Sequence, residues 1–223
     1  MKKGANRPIV TAHFAMTADG KTSTRAFTPS AFTSHADKVQ QVRAGADAVL
    51  TGRGPVAKDS MSMGIPAVPL RVVVSNSGNF DPGWKVFKYS GSPLIVFSTR
   101  CMPVRLRAAV ARKAELFLFS GRTVDLRKSL EILRSEFGVK RLVCEGGGTL
   151  LRSLASLDLV DSICLTIAPL VFGGRLAPTL TGLPCGFLDP PREFEIVRKS
   201  VLGDECFLEF RRKKRDTDKS KRG

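Results

Sequence analysis

Three consecutive glycines, Gly146-Gly147-Gly148, follow Glu145 and the apolar run Leu142-Val143-Cys144, and lead into Thr149-Leu150. No other stretch limits the fold of the chain so strongly. A short strand ends, the backbone loses its side chains, and an amphipathic segment bearing Leu150, Leu151, Leu154 and Leu157 begins. Strand, turn and helix in that order build sheets covered by helices. Glycines at a helix start also let an anion approach N–H groups that lack an intrahelical partner, where the helix dipole favours negative charge. A plain strand-to-helix turn is the simpler reading, but it needs one or two glycines. Three of them after an acid point to an anion-binding loop.

Strand-like and helix-like segments alternate along most of the chain. Pro8–Met16 is extended and apolar, Ser34 can cap a helix over His35–Ala44, and Gly45 ends it. Asp47–Thr51, Arg71–Ser75, Leu94–Ser98 and Glu115–Phe119 read as strands rich in Val, Ile, Leu and Phe. Pro103 opens a helix with Leu106, Val110 and Ala114 on its apolar face. Asp125 caps another over Leu126–Phe137, closed by Gly138. Strands follow at Lys140–Cys144 and Val160–Ala168, and Gly203-Asp204 turns a hairpin between Phe194–Val201 and Cys206–Arg212. This order predicts an α/β fold: a mainly parallel central sheet, helices on both faces and a C-terminal antiparallel hairpin. One domain over residues 1–210 is expected, followed by a basic, disordered tail at 211–223.

That tail carries eight Lys/Arg against two Asp, and the whole chain has a net charge of +16. The tail is either a solvated extension or a nonspecific contact for nucleic acid or another polyanion. A basic body suits an anionic substrate and a phosphate-rich cofactor. No apolar run reaches the ~20 residues that span a bilayer, and Met1–Pro8 has no apolar stretch behind it, so a cytoplasmic protein is expected. Five dispersed cysteines without a C-x-x-C pair and two histidines argue against a disulfide framework, a metal site or a Ser-His-Asp triad.

Gly52-Arg53-Gly54-Pro55-Val56-Ala57-Lys58-Asp59 follows a strand and reads as a second glycine-rich loop. It is not a dinucleotide fingerprint, because its strand is the second and Pro55 removes an N–H. A purely structural turn fits this segment as well. Ala18-Asp19-Gly20-Lys21 reads as a turn, and Thr22–Arg25 as a polar loop able to grip a hydroxylated or phosphorylated ligand. Alternation in the first strand sets Thr11 and His13 on its more polar face, where His13 is either a satisfied core residue or a proton donor.

In order, Met16–Lys21 (MTADGK), Arg43–Asp59 (RAGADAVLTGRGPVAKD), Arg71–Ser75 (RVVVS), Leu142–Leu154 (LVCEGGGTLLRSL), Leu159–Thr179 (LVDSICLTIAPLVFGGRLAPT) and Leu202–Arg211 (LGDECFLEFR) resemble the riboflavin-biosynthesis pyrimidine reductases. The resemblance runs from about Pro8 to Lys213. It implies a dihydrofolate-reductase-like fold, NADPH as hydride donor, a phosphorylated ribosylaminopyrimidine substrate and a homodimer. It implies cofactor contacts from Gly52, Gly54, Pro55, Asp59, Gly146, Gly147, Gly148, Thr149 and Leu150. Substrate contacts would come from Thr24, Arg43 and Glu145, with His13 and Glu145 as catalytic residues and no metal. Pro55 stands where the family has threonine, and Ser60–Pro66 replaces a polar, substrate-facing run. A same-fold reductase of another heterocycle and a non-catalytic nucleotide- or polyanion-binding protein are the alternatives.

Overall fold

A computed structural model describes residues 6–22, 35–58, 63, 69–183 and 185–213. Among these residues nine strands form one sheet: β1 (Ile9–Thr17), β2 (Ala48–Gly52), β3 (Leu70–Ser75), β4 (Leu94–Thr99), β5 (Glu115–Phe119), β6 (Arg141–Glu145), β7 (Ser162–Ala168), β8 (Phe194–Leu202) and β9 (Glu205–Arg212). Their spatial order is β5-β4-β3-β2-β6-β1-β7-β9-β8. The first seven pair in parallel; β9 runs antiparallel to both β7 and β8.

Among the described residues six helices connect the strands: α1 (His35–Ala44), α2 (Arg53–Lys58), α3 (Lys85–Lys88), α4 (Val104–Ala111), α5 (Leu126–Ser135) and α6 (Gly148–Ser156). Side-chain alternation divides the core in two. Val10, Ala12, Leu50 and Cys144 face α5 and α6, which contribute Leu126, Leu130, Leu133, Leu151 and Leu154. Val49, Val73 and Val143 face the other way, with Val42 of α1, Val56 of α2, Val86 of α3 and Val110 of α4. Because both faces are covered, the inner strands read as near-continuous apolar runs.

Local chemistry explains most boundaries. Asp125 accepts the N–H of Lys128 at 3.0 Å and caps α5, and Gly138 leaves that helix at φ 66°. Gly203 turns the β8–β9 hairpin at φ 59°. Arg71 is buried on β3 and donates to the carbonyls of Val86, Tyr89 and Ser92, tying α3 and the following loop to the sheet.

Two expectations need correction. The segment after Gly52, read as a loop, is the short helix α2; Pro55 sits in its first turn, where N–H groups have no intrahelical partner to lose. Helix α3 was not expected, because four residues are too short for helical periodicity to register. The last strand ends at Arg212, where the sequence reading placed its end. The Ser34 cap, Thr24, Asp59, the Ser60–Pro66 run except Met63, and positions 214–223 lie outside the described residues.

Candidate active site

Ligands bind parallel sheets of this kind at the carboxyl ends of the strands. Here β6 lies between β1 and β2, so the glycine turns after β2 and β6 emerge side by side. Gly146 and Gly147 adopt φ 75° and 85°, which only glycine takes without strain. A Cβ on Gly147 would lie 3.7 Å from the Gly52 Cα, and one on Gly146 would lie 3.0 Å from Pro55 Cγ. The structure therefore brings Gly52, Pro55, Gly146 and Gly147 together, as the two-loop reading requires. Gly54 is exposed and has nothing near its Cβ position.

Gly147 is the N-cap of α6, and the N–H groups of Gly148 and Thr149 open its first turn. Leu150 contributes differently: its side chain is buried in the core, and its N–H donates to the Gly147 carbonyl at 2.8 Å. A Cβ on Gly148 would collide with Gly182, 2.3 Å from its nitrogen. The Thr179–Gly182 turn, closed by two backbone hydrogen bonds of 2.8 and 2.9 Å, therefore roofs one side of the α6 start. Sequence reasoning assigned no role to this turn, although Thr181-Gly182 is a turn signal.

A second clasp positions that roof. Asp19 accepts the Thr17 hydroxyl at 2.5 Å and the N–H groups of Phe172 and Gly173 at 3.2 and 2.7 Å. The Thr17 bond foremost, with the two N–H groups behind it, holds the Asp19 carboxyl below its usual range. The Thr22 N–H donates to Pro178 at 2.9 Å. The turn after β1 thus organises the long loop after β7.

Below the glycine turns, one polar row crosses the sheet on the face covered by α1. His13 is in register with Glu145 of β6 and with Cys164 of β7; Cys164 pairs with Glu209 of β9, and Glu209 with Arg198 of β8. On the other side Leu50 pairs with Cys144, so Thr51 is level with Glu145. Arg43, in the last turn of α1, reaches Glu145 with two nitrogens: Nε donates to Oε1 at 2.6 Å, and a terminal nitrogen donates to Oε2. Arg43, Glu145 and His13 are 5%, 6% and 4% exposed, so this ion pair is largely withdrawn from water. The hydroxyl of Thr51 is also buried and has no hydrogen-bond partner among the described residues. It lies 3.7 Å from where a Gly146 side chain would begin. Nothing in the sequence distinguished this threonine from an ordinary strand residue.

The thiols in and beside the row are held in their protonated form. Burial, reinforced by Glu145, pushes Cys144 up to about 12; burial and then Glu209 push Cys164 up to about 11 against the opposing pull of Arg198. Among the described residues no group of three His, Cys, Asp or Glu is arranged to hold a metal ion, and no helix is long and apolar enough to cross a membrane.

The glycine turns, the α6 N–H groups and the unpartnered Thr51 hydroxyl fit a phosphate-bearing ligand that packs against bare backbone. The buried carboxylate, guanidinium and imidazole beside them can orient a polar substrate and handle a proton.

Known proteins identify the fold and the family. The chain is 32% identical to the 2,5-diamino-6-ribosylamino-4(3H)-pyrimidinone 5′-phosphate reductase of Methanothermobacter thermautotrophicus, over 92% of this chain and 98% of that enzyme. A pyrimidine reductase-like protein from Corynebacterium diphtheriae superposes with a TM-score of 0.78 at 20% identity, covering 94% of this chain and 93% of that one. Dihydrofolate reductase from Enterococcus faecalis, complexed with NADP(H), superposes at 0.52 and 13% identity over 92% and 97%, so the fold is dihydrofolate-reductase-like. Residues 8–198 match the RibD C-terminal domain family. With its strands, glycine turns and buried Glu145 in place, the chain belongs to the RibD C-terminal domain family.

Proposed function

We propose that this chain is an NADPH-dependent reductase that converts a phosphorylated ribosylaminopyrimidine to its ribitylamino form, a step of riboflavin biosynthesis. The observation that carries this reading is the convergence of buried His13, Glu145 and Arg43 directly beneath the paired glycine turns. The similarity to an archaeal reductase over nearly its whole length supports the substrate class.

A bound nicotinamide cofactor supplies the hydride; binding, orientation and exclusion of water fall to the protein. The bare backbone of Gly146–Thr149 receives a diphosphate, and Gly52 and Pro55 border it. The substrate presents C1′ most simply as the ring-opened imine. As C1′ accepts the hydride, the C=N bond becomes single and its nitrogen takes a proton from His13 or from a water held by Glu145. Arg43 fixes the carboxylate in one orientation through its two-point contact. In this reading the enzyme is a homodimer.

The test is NADPH oxidation on adding the diaminopyrimidine ribosylamine 5′-phosphate, with NADH in parallel. Turnover with NADPH is the expected result. NADPH binding without turnover would reassign the chain to another heterocycle, and failure to bind NADPH would end the reductase reading.

A further inference from the structure

Beside the glycine turns stands a cation that the reaction leaves unused. Arg53 directly follows Gly52, which is in register with Val74 near the end of β3. Its guanidinium carbon lies 5.8 Å from the centroid of the Trp84 ring. Trp84 packs against the core cluster that Val56 of α2 also joins, and it meets Phe80 edge-on at 6.1 Å. An aromatic ring attracts a cation and limits where it can swing. Among the described residues Arg53 forms no ion pair. Asp81, in the loop before Trp84, turns its carboxylate to the Gly83 N–H at 2.7 Å instead.

Strand order decides which part of a ligand this cation can meet. In the proposed reaction the nicotinamide lies beside His13, on the β1 side of β6, so the adenosine half leaves the diphosphate on the β2 side. A single ribose separates an adenosine 2′-phosphate from the diphosphate, so a residue that reads it must stand next to the glycine turns. Arg53, after β2, is one strand from β6. Arg100 and Arg122 follow β4 and β5, roughly 14 and 19 Å from β6 at about 4.8 Å per strand. The loop after β3, residues 76–80, carries no charge of its own.

Building on the reductase reading, we infer that Arg53, steadied by Trp84, reads the 2′-phosphate of the coenzyme and sets the preference for NADPH over NADH. The planar guanidinium fork gives a phosphate monoester two parallel N–H bonds and a full opposite charge. The 2′-hydroxyl of NADH offers neither, and an arginine placed near the ribose is a general way of telling the two coenzymes apart. The 5′-phosphate of the substrate is the other monoester that could claim the same cation, and ribose 5-phosphate separates the two sources.

The experiment titrates the full chain and its Arg53→Gln, Arg53→Lys and Arg122→Gln variants by calorimetry, with no turnover required. The ligands are NADPH, NADH, adenosine 2′,5′-bisphosphate, 5′-AMP and ribose 5-phosphate, and circular dichroism confirms the fold of each variant. Wild type should favour NADPH over NADH, and the bisphosphate over 5′-AMP, by about 10- to 100-fold, the range for a hydrogen bond to a charged group. Arg53→Gln should bring both ratios close to one by weakening the 2′-phosphorylated ligands alone. Arg53→Lys should keep part of the preference, since it restores charge without the fork, and Arg122→Gln should match the wild type. Trp84 is the single tryptophan of the chain, so its emission should shift with the bisphosphate more than with 5′-AMP. A wild type without preference, an Arg53→Gln chain that keeps it, or equal weakening of NADPH and NADH overturns the inference. So does weaker ribose 5-phosphate binding beside unchanged NADPH, which would give the arginine to the substrate. Should no adenine nucleotide bind, the reductase reading falls as well; a chain that binds NADPH regardless of Arg53 overturns the inference alone.

Discussion

Glu145 has two duties that a single substitution can separate. Its carboxylate balances Arg43 in a buried pair, and in the proposed reaction it holds the proton-donating water or the substrate. Glu145→Gln keeps the shape and part of the hydrogen bonding but removes the charge. Turnover should fall by about 100-fold, within the usual range for a proton-transfer group, while NADPH affinity changes by less than about threefold. Unchanged turnover would remove Glu145 from the chemistry. Thr51 poses the opposite case. A buried hydroxyl without a partner costs about 1–3 kcal/mol, so Thr51→Val should raise the melting temperature of the ligand-free protein by about 2–12 °C. If the hydroxyl serves a ligand, the variant should also gain less thermal protection from NADPH than the wild type does. A lower melting temperature without ligand would show that the hydroxyl is satisfied after all.

At the level of elements, short side-chain bridges decide how strands begin. Asp47 precedes β2 and accepts the N–H groups of Lys140 and Arg141, each at 2.8 Å, where β6 starts. Partial burial acts to raise its pKa, but those two N–H groups and the neighbouring positive charges win, leaving it below the usual carboxylate value of 3.8. A carboxyl depressed in the folded state stabilises fully above its unfolded pKa, and that contribution fades as pH falls through the lower folded value. The stability gap between wild type and Asp47→Asn, read by urea unfolding, should therefore be constant from pH 7 to about pH 5 and shrink below about pH 4. A gap that persists at pH 2 would mean that the bridge does not depend on charge.

For the molecule as a whole, the sheet was legible because its inner strands are buried on both sides and spell out apolar runs. Helix α5 was legible because Asp125 and Gly138 punctuate it. Helix α2 was not, since Gly54 and Pro55 read as loop residues and only the packing of Val56 against the core explains its form. The glycine turns could be read singly, and their mutual contact at Gly52 and Gly147 could not. The same holds for the polar row. His13, Glu145, Cys164 and Glu209 are scattered over nearly 200 positions, and only strand register brings them onto one line.

That line makes the proposed site unusually sensitive to chain length. One residue inserted between Ile9 and His13 would reverse which side of β1 each later side chain faces. The imidazole would move under α5 and α6, and an apolar neighbour would take its place beside the carboxylate. The same insertion at the Gly20 turn would leave the line untouched. Insertional scanning across residues 9–21 should therefore cut reductase activity most sharply between Ile9 and His13, where phase rather than composition decides which side chain meets the carboxylate.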